Sequence, residues 1–219
     1  DVAFLTDHPS HLAEQNFEDL YHHRDGDELV LVDGIPVANW VACEDGERFM
    51  LIPGVEDELM PVGLDRQIAE TPEVRDDLYN RSDPEALTAM KEAGATVWMA
   101  HTEGRDLSWL EGLQDAGLDG VEMFNLHAMF DPDIRSEDLG LDGLGWFTDI
   151  APFTHPEATG EPDLFFLAVL QEQAPSLERW DSLLQRGRVG ASGGTDAHQN
   201  VLNLELRDGE RGDSYRRML

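Results

Sequence analysis

A single cysteine, Cys43, in 219 residues excludes an internal disulfide framework and any zinc site built on thiolates. Lysine is equally scarce, with Lys91 alone. The basic complement is 15 Lys and Arg against 46 Asp and Glu, a formal net charge of -31. Such a surface repels phosphate backbones and excludes sequence-independent nucleic-acid binding. The same acidity suits a high-salt habitat, where self-repulsion is screened, with an ordinary acidic mesophilic protein as the alternative. No apolar run is long enough to span a membrane. There is no P-loop, no Gly-x-Gly-x-x-Gly and no Gly-x-Ser-x-Gly, so the phosphate cradles and nucleophile elbow of those motifs are excluded. Internal repeats and low-complexity tracts are also absent. No signal peptide is visible, and a cytoplasmic location is the default expectation. Secretion or a periplasmic location stays open because the chain begins at Asp1.

What is present centres on Gly190-Ala191-Ser192-Gly193-Gly194-Thr195-Asp196-Ala197-His198. A short strand of small residues runs into two glycines, then into Asp196 and His198. In extended chain, residues two apart project to the same side. A carboxylate and an imidazole so placed are oxygen and nitrogen ligands for a divalent metal, with an ordinary solvated turn as the alternative. The pattern recurs: Val2–Leu5 ends in Thr6-Asp7-His8, Phe49–Ile52 ends in Pro53-Gly54-Val55-Glu56, Thr96–Ala100 ends in His101, and Gly120–Phe124 ends in Asn125. Parallel α/β barrels place their sites at such strand ends.

Between these points the chain alternates. Asp25-Gly26, Asp33-Gly34 and Asp45-Gly46 are hairpin turns, which predicts an antiparallel meander over 24–56. Residues 64–93 read as mainly helical. Asp83 caps a helix with Pro84 in its first turn, Ala86, Leu87, Met90 and Ala93 form its buried face, and Gly94 stops it. Leu107–Ala116 repeats the scheme with Gly117 as the stop. Strand, helix, glycine, strand is an α/β signature. The stretch 126–161 is loop-rich, and His127, Trp146, Phe147 and His155 either line a pocket there or pack the loop down. Two further helices are predicted at Leu164–Glu172 and Leu177–Gln185, separated by Pro175-Ser176. His22-His23 reads as a solvated surface pair.

The motifs Thr6-Asp7-His8, Ile52-Pro53-Gly54-Val55-Glu56, Ala100-His101 and Gly194-Thr195-Asp196-Ala197-His198, in that order, resemble those of the PHP (polymerase and histidinol phosphatase) family of metal-dependent phosphoesterases. Trp180–Arg188 and Glu122-Met123-Phe124-Asn125 resemble its carbaryl-hydrolase-like branch. The likeness covers nearly the whole chain. It implies one PHP-like metallohydrolase domain over 1–219, on a distorted TIM-like (β/α)7 barrel with an antiparallel β insertion at 28–52. The family opens with a His-x-His pair on its first strand. This chain begins at what resembles the second strand, so that pair is expected upstream, and the 219-residue stretch alone is expected to be a weak catalyst. Met60 stands where the family often has a histidine, and a thioether is a poor ligand for hard cations.

The resemblance implies His8, Glu56, His101, Asp196 and His198 as metal ligands, holding two or three Zn, Mn or Fe ions in a complete site. Glu56, Asp196 and His198 are the catalytic candidates. Glu56 would bridge two cations, and paired cations lower the pKa of a bound water and clamp attacking and leaving oxygens. Asp7, His11, Glu122, Asn125 and His127 are expected to stand behind the ligands or face the substrate. The function expected is hydrolysis of a small-molecule ester, foremost a phosphate ester. A carbamate or amide hydrolase with the same metal site and a non-catalytic PHP-like binding module are the alternatives.

Overall fold

Eight strands hydrogen-bond into one mixed sheet. The computed structural model describes residues 2–17, 25–43, 46–145 and 170–194. In chain order the elements are β1 (Val2–Asp7), α1 (Pro9–Glu14), β2 (Glu28–Val32), β3 (Ile35–Ala42), β4 (Arg48–Val55), β5 (Leu59–Val62), α2 (Pro72–Tyr79), α3 (Pro84–Glu92), β6 (Thr96–Met99), α4 (Leu107–Asp115), β7 (Gly120–Asn125), α5 (Ala174–Arg186) and β8 (Gly190–Gly194). A 3-10 turn at His127–Met129 and a π turn at Ile134–Asp138 follow β7.

The meander forms as its turns dictate. Asp33 and Gly34 both have positive φ, +52° and +84°, the backbone a tight I′ hairpin requires. β2 and β3 pair antiparallel across that turn, and β3 pairs antiparallel with β4 from Asn39↔Leu51 to Ala42↔Arg48. β1 lies parallel to β4 from Val2↔Met50 to Asp7↔Val55. A strand has two edges, so β3 and β5 share the other edge of β4, with β5 meeting it at Gly54↔Val62. β5 runs antiparallel to β6, and β6, β7 and β8 are mutually parallel.

The order β2-β3-β4-β5-β6-β7-β8, with β1 attached to β4, corrects the expected (β/α)7 barrel. Among the described residues the sheet is open and mixed. A closed parallel barrel needs every strand to run the same way and the last to pair with the first. Here β3 and β5 run against their neighbours, and among the described residues β8 pairs only with β7. The 28–52 segment is accordingly not an insertion on a barrel: its strands are members of the one sheet.

The local punctuation reads as expected. Asp83 accepts hydrogen bonds from the backbone N–H of Glu85 and Ala86 at 2.9 and 3.0 Å, with Pro84 in the first turn, and Gly94 and Gly117 have φ of +87° and +106° beyond α3 and α4. The two helices expected around Pro175-Ser176 are different. Leu170–Gln173 are not helical, and α5 starts at Ala174 with Pro175 inside its first turn, where a missing N–H costs nothing. Residues 164–169 lie outside the described residues.

One core cluster joins helices to sheet: Leu87 and Met90 of α3, Leu110 and Leu113 of α4 and Leu183 of α5 pack with Val97, Met99 and Val121 of β6 and β7. Each such side chain contributes roughly 1.5–3 kcal/mol by leaving water. On the sheet's other face Trp98 lies across Gly120 and Gly190, its neighbours on β7 and β8, and a Cβ at either glycine would run into the indole. A smaller cluster, Ala128, Met129 and Leu139 with Phe124, Phe130, Ile134 and Leu141, anchors the loop after β7.

Candidate functional site

The pairings fix a common direction for β1, β4, β6, β7 and β8, so their C-terminal ends lie along one end of the sheet. In open α/β sheets that end is where ligands bind. His8 follows β1 and Glu56 follows β4. Because Asp7 and Val55 are register partners, the two occupy neighbouring positions just past the last paired residues. His101 lies two residues beyond β6, Glu122 lies within β7, Asn125 closes it, and His127 begins the turn after it. Asp7 closes β1 and His11 lies within α1. β8 reaches the same end at Gly194. Asp196 and His198, like Trp146, Phe147, His155 and the pair His22-His23, lie outside the described residues.

Two groupings occupy this end. The first surrounds His8, which is exposed at the start of α1 and makes no side-chain capping bond. With Pro9, Ser10, Asp57, Asp76, Asp77, Asn80 and Arg81 it lines an open cleft of about 630 Å³. Burial pushes the Asp57 carboxyl up from its ordinary range, against the opposing pull of the Glu58 backbone N–H, His8 and Arg105. Arg81 is engaged by Asp83 at 2.7 Å, Glu85 at 2.6 Å and Asp77 at 3.6 Å. Glu58 pairs with Arg105 at 2.6 Å and accepts the Ser82 hydroxyl.

The second grouping is buried. Glu122, Asn125, Thr102, Glu103 and Gln173 are each at most 4% exposed around the half-buried His101. Glu122 Oε2 accepts from the backbone N–H of His101 at 3.3 Å and from Asn125 Nδ2 at 3.1 Å. The Thr102 hydroxyl donates to the Glu122 carbonyl at 2.7 Å. The Asn125 backbone is clasped by Gln173, whose Oε1 accepts the N–H at 3.1 Å and whose Nε2 donates to the carbonyl at 2.6 Å. Burial pushes the Glu122 carboxyl up, while the Asn125 and His101 hydrogen bonds and the His101 ring pull it down. His101 itself has φ +52°, a left-handed conformation uncommon for a residue with a Cβ and held only where surroundings impose it.

Sequence reasoning missed Asp57, Glu103, Thr102 and Gln173. Asp57 and the pair Thr102-Glu103 directly follow residues that were singled out, so adjacency to a strand end was a usable signal. Nothing in the sequence marks Gln173, which reaches Asn125 across 48 positions. Among the described residues no group of three or more His, Cys, Asp or Glu is gathered to hold a metal ion. His8 and Glu56 are neighbours in register, whereas His101 Nδ1 lies 3.2 Å from Asn125 Nδ2. Asp196 and His198, the remaining members of the expected ligand set, lie outside the described residues. Compared with protein-family models, with curated proteins and with solved structures, the chain matches none.

Proposed function

We propose that this chain is a metal-dependent hydrolase acting on a small-molecule ester, with a phosphate ester as the first substrate class. The observation that carries the reading is the shared direction of β1, β4, β6, β7 and β8. Their ends bring His8, Glu56, His101 and Asn125 to one end of the sheet and lead, through Gly194, into Thr195-Asp196-Ala197-His198. The ligands proposed are His8, Glu56, His101, Asp196 and His198, a set of neutral imidazoles and carboxylates suited to Zn or Mn. A divalent metal bound there would lower the pKa of a water and polarise the scissile oxygen. The open cleft beside His8 gives a small ester room to approach.

The test is metal analysis of purified protein followed by assay against phosphate esters, carbamates and amides with Mn²⁺ or Zn²⁺ added. Bound metal and phosphate-ester turnover, reduced about 100-fold or more in Glu56→Gln, are the expected results. An amide at position 56 lacks the negative charge that a bridging ligand must share. Turnover of carbamates alone would replace the substrate class. No hydrolysis by metal-loaded protein, or equal turnover in Glu56→Gln, would overturn the reading.

A further inference from the structure

α1 is six residues long, too short to hold itself, and it starts directly after His8. The last carbonyls of a helix have no partner within it. Here two side chains, one from α2 and one from the loop before it, take them. Gln67 Nε2 donates to the Leu12 and Gln15 carbonyls, both at 2.9 Å. Carbonyls only accept, so this side of the amide is the nitrogen, and its Oε1 accepts the hydroxyl of the buried Tyr79 at 3.2 Å. Arg75 Nη1 donates to the Ala13 and Gln15 carbonyls at 3.3 and 3.2 Å. The other edge of the same guanidinium faces the loop that enters α2: Nε donates to the Ala69 carbonyl at 2.7 Å and Nη2 to that of Glu70 at 2.8 Å. One planar group thus ties the end of α1 to the start of α2. These two elements are walls of the cleft beside His8: Pro9 and Ser10 begin α1, Asp76 and Asp77 directly follow Arg75, and Asn80 caps α2. Leu12 and Ala13 turn one face of α1 into the core. Apolar burial is non-directional, so it leaves α1 free to slide along its axis, and the directed bonds to its carbonyls stop that movement.

We propose that Arg75 is the positioning residue of this cleft: by binding the end of α1 it fixes His8 and Ser10 against the wall that α2 supplies. The residue touches neither the cleft nor the proposed ligands and acts through α1. Its two edges serve two segments at once, Nε and Nη2 the loop at 69–70 and Nη1 the carbonyls of α1. A lysine ammonium has donors but not that rigid span, so the task calls for an arginine. That the displacement of His8 is felt in metal binding rests on the hydrolase reading; the clamp on α1 does not.

The test begins on the zinc-free chain with Arg75→Met, which keeps an aliphatic stem but no donor. Hydrogen exchange read by mass spectrometry should be about fivefold faster or more over residues 9–15 and unchanged in β6 and β7. No acceleration over 9–15, or equal acceleration everywhere, would overturn the proposal, the latter by making Arg75 an ordinary contributor to global stability. Zinc affinity, measured by competition with a chelating dye, should fall about tenfold in Arg75→Met and by less in Arg75→Lys. His8→Gln closes the cycle: adding Arg75→Met to it should cost no further affinity. A further tenfold loss in the double variant would show that Arg75 does not act through His8. In the phosphate-ester assay the zinc concentration for half activation should rise about tenfold in Arg75→Met, with kcat at saturating zinc within about twofold of wild type. A lowered kcat with half activation unmoved would overturn the positioning role. If zinc binds to none of these proteins, the hydrolase reading fails, and the exchange comparison alone decides whether Arg75 holds α1.

Discussion

Gly194 lies against the Glu122 carboxylate so closely that a Cβ built on it would overlap Oε1. Glu122 cannot retreat without breaking its bonds to Asn125 and the His101 N–H. Gly194→Ala should therefore destabilise the fold by about 1–3 kcal/mol, the cost of overpacking a fixed site. Urea denaturation checks this; an unchanged midpoint would mean the carboxylate has room. Glu122 also sets a pH dependence. Burial raises its folded pKa above the unfolded value near 4.5. The folded state then binds more protons in the window above that value, so this group's contribution is complete below it and is lost as pH rises through the folded pKa. Glu122→Gln removes the titration. Relative to wild type, the variant should gain stability as pH rises from about 4.5 toward neutrality, read by urea midpoints at several pH values. A constant difference across that range would show that Glu122 titrates normally.

At the scale of elements, α3 and α4 offer a matched pair of tests. Asp83 accepts from two backbone N–H groups at the start of α3 and also binds Arg81. Asp83→Ala should cost about 1 kcal/mol. Gly112 sits in the exposed interior of α4, and a Cβ there meets nothing within 4 Å. Gly112→Ala should stabilise by about 0.5–1 kcal/mol through helix propensity alone. Thermal melts distinguish both from wild type, and a loss in Gly112→Ala would mean that α4 packs more tightly than its open face indicates. These elements were legible because caps, stops and buried faces are local: Asp83-Pro84, Leu87, Met90 and Gly94 each act within a turn of their neighbours. Strand order was not. β5 (Leu59–Val62) carries no mark of running against β6, and its reversal, together with that of β3, makes the sheet mixed rather than parallel. The strand ends were legible for the same local reason, since His8, Glu56 and His101 each follow an apolar run. The clasp of Gln173 on Asn125 depends on two segments meeting in space, which no spacing in the sequence encodes.

The molecule as a whole carries far more negative charge than its ion pairs can balance. Its one lysine is bound to Asp119 at 2.5 Å, and Arg186 and Arg81 are already shared among several carboxylates. With 46 acidic residues against 15 basic ones and a formal charge of -31, most carboxylates have no basic side chain to match them one to one. Folding concentrates that charge, so self-repulsion opposes the compact state. Salt acts on both signs of interaction. It weakens exposed pairs such as Arg48–Glu28, each worth at most about 1 kcal/mol. It also screens the repulsion, and 46 acidic groups against 15 basic ones make the second effect the larger. Raising KCl from about 0.1 to 1 M shortens the screening length from roughly 10 to 3 Å. The melting temperature should rise by about 5 °C or more, since each kcal/mol gained moves a protein of this size by roughly 2–4 °C. Potassium chloride is the salt to use, because sulfate strengthens apolar burial in any protein and would mimic the result. Calorimetry across the KCl series, with a sucrose series as the uncharged control, makes the comparison. A flat or falling melting temperature in KCl would show that the acidic surface is not what limits stability.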